Sequence, residues 1–214
     1  VQATGAVPID VEKMNIDMLS MSGHKFHGPK GVGALYIRKG VQLENLIHGG
    51  AQESGKRATT ENVAGIVGMA TALTEAVEHM EEKTERIVRL RDKLINGVLE
   101  TVPYTRLNGH RTKRLPNNTS FCFRYIEGES LLLSLDLKGI VVSSGSACTS
   151  GSLDPSHVLL GIGLPHEIAH GSMRATLSEF TTDEDIDAIL AELPPIVRRL
   201  REMSPLFEGV ESEK

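Results

Sequence analysis

No proline falls between Thr60 and Val102, and within that span apolar residues recur at steps of three and four: Val63, Ile66, Val67, Ala70, Leu73, Val77, Met80, Ile87, Leu90, Leu94 and Val98. Such spacing puts them on one face of an α-helix, and Pro103 stops the pattern. The expectation is one long helix, straight or bent, that bridges two domains with the boundary near residue 80. Residues 1–80 then form the first domain and residues 81–214 a smaller α+β domain. In the second, Thr119 to Tyr125 alternates as a strand, Glu129 to Lys138 reads as a helix stopped by Gly139, and Ile140 to Ser143 as a further strand. Asp154-Pro155 has the cap-then-proline order that starts a short helix. Thr182 and Asp185 cap the last helix, with Ile186, Ile189, Leu190 and Leu193 as its apolar stripe and a kink at Pro194 and Pro195. The tail from Glu208 is expected to fray.

The chain's 214 residues are enough to bury a good core, and 40% hydrophobic with 24% charged residues is the balance of an ordinary soluble globular protein. A net charge of −5 without a dense basic run argues against nucleic acid as a main partner. The cations between Lys83 and Arg114 are interleaved with acids in the helical part, as on a solvated helix face. No apolar stretch is long enough to span a membrane, and no signal peptide opens the chain. Two cysteines, Cys122 and Cys148, make no disulfide framework, which fits a reducing cytosol. Cys122 alternates with Phe121 and Phe123 and reads as sheet filler.

In the first domain, apolar Met18, Leu19 and Met21 lead into a glycine-rich stretch in which Gly28, Pro29, Gly31 and Gly33 oppose a helix, and a strand resumes at residues 34–37. Lys25 therefore sits on a tight loop between two strands, with Ser22 and His24 beside it. Partial desolvation and nearby positive charge would favour a neutral, nucleophilic amine, suited to a Schiff base with a phosphorylated aldehyde cofactor whose phosphate oxygens Ser22 and His24 would meet. The plainer reading is a solvated loop lysine; the spacing is not that of a P-loop. Residues 48–60 form a second polar, glycine-rich loop. Thr60 could serve a ligand or simply N-cap the helix that follows.

Cys148 stands in Ser143-Ser-Gly-Ser-Ala-Cys-Thr-Ser-Gly-Ser152, a run too small in its side chains to anchor to a core. A mobile thiol there suits sulfur transfer, in which a thiolate attacks and then carries sulfur outward. An inert thiol in a linker is the alternative. His166-Glu-Ile-Ala-His170 spells the H-E-x-x-H pattern of zinc hydrolases, in which His166 and His170 would bind the metal, Glu167 would act as base and Glu192 would be a distant third ligand. Gly163, Pro165 and Gly171 leave barely one helical turn to hold it.

Residues 1–5 (Val-Gln-Ala-Thr-Gly), residues 20–34 around Lys25, His48-Gly-Gly50, Thr60-Glu-Asn-Val63, residues 143–151 around Cys148, and His166 to Arg174 together resemble the cysteine desulfurases of the NifS/IscS type, in family order and nearly end to end. The resemblance covers only the second half of such an enzyme. It implies an α/β, pyridoxal-phosphate-dependent transferase fold of type I, like aspartate aminotransferase. Here that fold would be the end of the large cofactor domain plus a small α+β C-terminal domain. It further implies conversion of L-cysteine to L-alanine, with sulfur passed as a persulfide to an acceptor or iron–sulfur scaffold protein for cluster assembly, in a cytoplasmic homodimer.

By the same resemblance Lys25 carries pyridoxal 5'-phosphate, Gln2 meets its phenolic oxygen, and Ser22 and His24 hold its phosphate. Thr60 reaches the partner subunit's cofactor phosphate, Cys148 receives the sulfur, and Arg174 clamps the substrate carboxylate. No metal is implied. The family carries glycine where this chain has Thr59. The aspartate that holds the cofactor's pyridine nitrogen would lie before Val1, in a missing N-terminal half, and the strands flanking Lys25 would belong to a parallel sheet. A zinc hydrolase and a non-catalytic fragment or scaffold are the competing readings.

Overall fold

The computed structural model describes residues 1–144 and 154–207. The chain divides into two units, Val1–Thr84 and Glu85–Lys214.

In the first unit, β1 (Met18–Ser22) and β2 (Gly33–Ile37) form a two-stranded sheet joined by a 3-10 turn over Gly23–Phe26. Two expectations change here. The glycines exclude an α-helix but leave room for one 3-10 turn. The strands are antiparallel, with Met18 opposite Ile37 and Ser22 opposite Gly33. A connection this short can only return the chain antiparallel, since parallel neighbours need a long crossover.

The long helix of the periodicity is two helices, α1 (Val63–Glu78) and α2 (Met80–Thr101), because His79 leaves helical geometry. The division between units falls within α2, after Thr84. In α1 only Gly65 and Met69 are buried, whereas Val63, Val67 and Val77 of the expected stripe are more than half exposed. The helix is N-capped by Asn62, whose Oδ1 accepts from the Gly65 amide at 3.1 Å, and not by Thr60.

The second unit is a three-stranded antiparallel sheet in the order β3 (Thr105–Leu107), β4 (Asn118–Phe123), β5 (Ser172–Thr176). Alternation along β4 sends successive side chains to opposite faces. Phe121 and Phe123 join Leu90, Leu94, Ile95 and Val98 of α2 and the buried residues of α3 (Gly128–Asp136) and α6 (Asp183–Glu202) in the main core. Cys122 points the other way, fully buried with Leu159, Leu164 and Ala169 of the α4 (His157–Gly161) and α5 (His166–His170) region. Asn108 donates to its sulfur at 3.2 Å, and burial pushes the thiol's pKa up, so Cys122 is core filler. A leucine buried this completely contributes about 2 kcal/mol, and α2 alone supplies Leu90 and Leu94.

Residues 140–142 lie outside any strand; only Ser143 bridges to Arg174. The cap of α4 is Ser156, not Asp154. Thr182 and Asp185 form the reciprocal capping box of α6, which runs through Pro194 and Pro195 to Glu202. The tail from Glu208 lies outside the described residues. No helix among the described residues is long and apolar enough to cross a membrane.

Candidate active site

The lysine turn is held from below. Phe26 is buried against α1, and Gly68 of that helix lies so close to Pro29 that a Cβ would come within 2.9 Å of the proline ring. At the far end a Cβ on Gly33 would stand 2.6 Å from the Met21 carbonyl, so the two strands can approach only with glycine there. The Gly23 amide donates to the Val32 carbonyl at 2.9 Å and the Gly28 amide to that of Gly23 at 2.9 Å. This lacing directs polar side chains outward: Ser22 Oγ and His24 Nδ1 are hydrogen-bonded at 3.0 Å, and Lys25 follows directly, exposed. The desolvation expected of Lys25 is thus not supplied by this chain.

The terminal turn that carries Gln2 belongs to the same neighbourhood. A Cβ on Gly5 would lie 3.5 Å from the Phe26 Cβ and 3.0 Å from that of Ala76. Gln2 itself is exposed, while Thr4 is buried with a hydroxyl that has no hydrogen-bond partner. Thr60 and the turn also meet: Gly31, Val32 and Gly33 line a cavity of about 320 Å³ together with Glu53, Arg57, Thr59, Thr60, Glu61, Asn62 and Ile66. Arg57, Thr59 and Asn62 were not singled out by the sequence. The family's glycine at position 59 was the one signal that pointed there.

In the second unit Arg174 sits at the centre of β5, opposite Ser120. Its amide donates to the Ser143 carbonyl at 2.7 Å and its carbonyl accepts from the Ser143 amide at 3.0 Å. The start of the small-residue run is therefore pinned beside Arg174. Cys148 lies outside the described residues. The half-buried Arg174 side chain has a buried Nε with no hydrogen-bond partner, a donor left over for an acceptor such as a carboxylate.

The zinc pattern fares worse. His166 and His170 meet edge to face with ring centroids 4.6 Å apart on a helix of five residues, and His170 Nδ1 is 3.8 Å from Glu127 Oε2. Among the described residues no group of three His, Cys, Asp or Glu side chains converges to hold a metal ion, and Glu192, the distant third candidate, is paired with Lys138 at 3.2 Å.

The donor set of the turn fits pyridoxal phosphate. An exposed primary amine can condense with an aldehyde, and a hydroxyl and an imidazole beside it can meet phosphate oxygens. The Aminotransferase class-V family profile matches residues 1–189. The chain belongs to that family. Class-V relatives at high identity include the cysteine desulfurase IscS of Clostridium botulinum, 59% identical over 216 residues, covering 100% of this chain and 54% of that protein. The cysteine desulfurase NifS of Azotobacter vinelandii is 50% identical, over 98% of this chain and 52% of its own. Among solved structures a NifS-like protein superposes with a TM-score of 0.82 at 40% identity, covering 94% of this chain and 51% of that one. The fold is accordingly the type I fold of pyridoxal-phosphate enzymes, and the chain spans about half the length of the relatives it matches.

Proposed function

We propose that this class-V chain is the lysine- and thiol-bearing half of a cysteine desulfurase that takes sulfur from L-cysteine, releases L-alanine and passes the sulfur to an acceptor for iron–sulfur cluster assembly. The observation that carries the reading is the Ser22–His24 pair beside Lys25 on a turn too tightly laced to be an incidental loop. In this reading residues 1–80 close the large cofactor-binding domain and residues 81–214 form the small domain. The other half supplies the remaining cofactor contacts, and the assembled enzyme is a cytoplasmic homodimer in which Thr60 serves the partner subunit's site.

Pyridoxal 5'-phosphate, when bound, supplies an electron sink that weakens the bonds around an amino acid's α-carbon. Lys25 would hold it covalently, Ser22 and His24 would take the phosphate and Gln2 the phenolic oxygen. Arg174 would orient the substrate by its carboxylate through a planar two-pronged contact. Lys25 Nζ, as a free amine, would take the proton from the substrate's α-carbon. The Cys148 thiolate would bond to the substrate sulfur as the Cβ–S bond breaks, leaving a persulfide on Cys148, while that bond's electron pair stays with the carbon skeleton, which gains a proton at Cβ and leaves as alanine.

The test is Cys148→Ala in the full-length enzyme. It is expected to keep the yellow cofactor and its spectral response to cysteine while releasing no sulfide. Wild-type desulfurase turnover by that variant would overturn the persulfide role.

A further inference from the structure

The loop that borders the cavity beside Lys25 contains a threonine in a backbone conformation that side-chain-bearing residues rarely adopt. Thr59 has φ +115°. A β-branched residue is poorly suited to that region, so something must hold it there. Two contacts do. Arg57 Nη1 donates to Thr59 Oγ1 at 2.6 Å, and the Thr59 amide donates to Gln52 Oε1 at 3.4 Å. The intervening residue, Ala58, is buried and supplies the anchor, its amide reaching the Ile47 carbonyl at 3.5 Å. The next residue is Thr60, which lines the cavity with Gly31 and Gly33. Arg57 is the one cation among the described residues that line it, against the carboxylates Glu53 and Glu61.

We propose that Thr59 is a positioning residue: its hydroxyl, gripped by Arg57, locks the left-handed turn at residue 59 and so aims Thr60 at a phosphate group. The inference rests on the reading of Thr60 as a cofactor-phosphate contact and adds the device that holds Thr60 in place. The grip works because a hydroxyl acceptor meeting a guanidinium makes a charge-assisted bond, stronger than a neutral one. It also keeps the Arg57 charge at the loop instead of free in solvent. Strained residues over-determined by their neighbours are found where geometry serves a ligand.

The experiment uses the full-length enzyme stripped of cofactor and measures equilibrium binding of pyridoxal phosphate and of pyridoxal, which lacks the phosphate. Four variants separate the terms. Thr59→Ser keeps the acceptor, Thr59→Val keeps the shape but loses it, Thr59→Gly loses it while adopting the backbone freely, and Arg57→Met removes the donor. Pyridoxal phosphate affinity is expected to stay within about twofold for Thr59→Ser and for Thr59→Gly, which needs no grip to hold this φ, and to fall about fivefold or more for Thr59→Val and Arg57→Met, with pyridoxal affinity unchanged throughout. The double variant Thr59→Val with Arg57→Met should lose no more than either alone, since one bond is removed.

Thr59→Gly is the control for folding, because glycine fits this φ without strain. It is expected to unfold at a higher temperature than Thr59→Val and to bind pyridoxal phosphate like the wild type. Wild-type affinity in Thr59→Val, with a loss in Thr60→Ala, would overturn the positioning role and leave the reading of Thr60 standing. No loss in Thr60→Ala either would overturn both.

Discussion

Replacing Arg174 by leucine should weaken substrate binding and strengthen the fold at the same time. The guanidinium's Nε is buried without a hydrogen-bond partner. An unsatisfied buried donor costs about 1–3 kcal/mol, and a charged one lies at the upper end. Leucine removes that donor, on the face of β5 opposite the buried Met173 and Ala175. The backbone bonds to Ser143 do not involve the side chain and survive.

The free protein should therefore gain on the order of 1 kcal/mol, a rise of a few degrees in apparent Tm. A charge-assisted arginine–carboxylate pair contributes about 1.5–3 kcal/mol, so affinity for L-cysteine should fall about ten- to hundredfold. Spectral titration of the full-length enzyme with cysteine reads the affinity, and differential scanning fluorimetry reads the stability, with cofactor content as a control. Unchanged affinity with a Tm lowered by several degrees would refute the reasoning and make Arg174 a structural arginine.

Lys25→Ala should abolish both the lysine-bound cofactor band and turnover, while Cys122→Ala, which empties a fully buried position and has no chemical role in this reading, should lower stability and leave sulfide release intact. Residues 1–214 expressed alone should aggregate or bind pyridoxal phosphate weakly, because Val63, Val67, Leu35 and Met18 are exposed and the β1–β2 pair has two open edges. Light scattering with and without a separately expressed N-terminal half checks this, and a monodisperse, active 23.2 kDa chain would contradict it. Asp183 is held at a pKa of about 2, foremost by hydrogen bonding from Arg89 and further by Lys93. Its folded value is below its unfolded one, so the stability it contributes is full above about pH 4 and is lost as pH falls toward 2. Asp183→Asn should lower Tm at neutral pH and flatten that acid limb in a Tm-against-pH series.

Local chemistry was readable wherever one short stretch settled the outcome. The capping box at Thr182 and Asp185 needs only two residues three apart, and the alternation of Phe121, Cys122 and Phe123 needs only a pleat; both stand as expected. The break at His79 was not readable, because apolar spacing continues across it and a periodicity cannot register one residue leaving helical geometry. The antiparallel pairing of β1 and β2 follows from the short connection, which outweighs the parallel sheet that the resemblance implies. Thr60 and Asn62 are both residues that cap helices, and only the fold selects Asn62, whose Oδ1 accepts from the Gly65 amide.

By itself the sequence named the residues proposed to carry chemistry: Lys25 with Ser22 and His24, Cys148 in its small-residue run, and, through the family resemblance alone, Arg174. The sequence also narrowed the zinc pattern to a single helical turn, since glycine and proline act on the backbone at their own positions. Tertiary structure decided what depends on neighbours distant in sequence. It placed the Gly31–Gly33 end of the turn on the same cavity as Thr60, tied Ser143 to Arg174, left the Arg174 Nε without a partner, and held Thr59 at φ +115° through Arg57. Each of these is a contact closed by folding, and its energy comes from groups that no periodicity along the chain brings together.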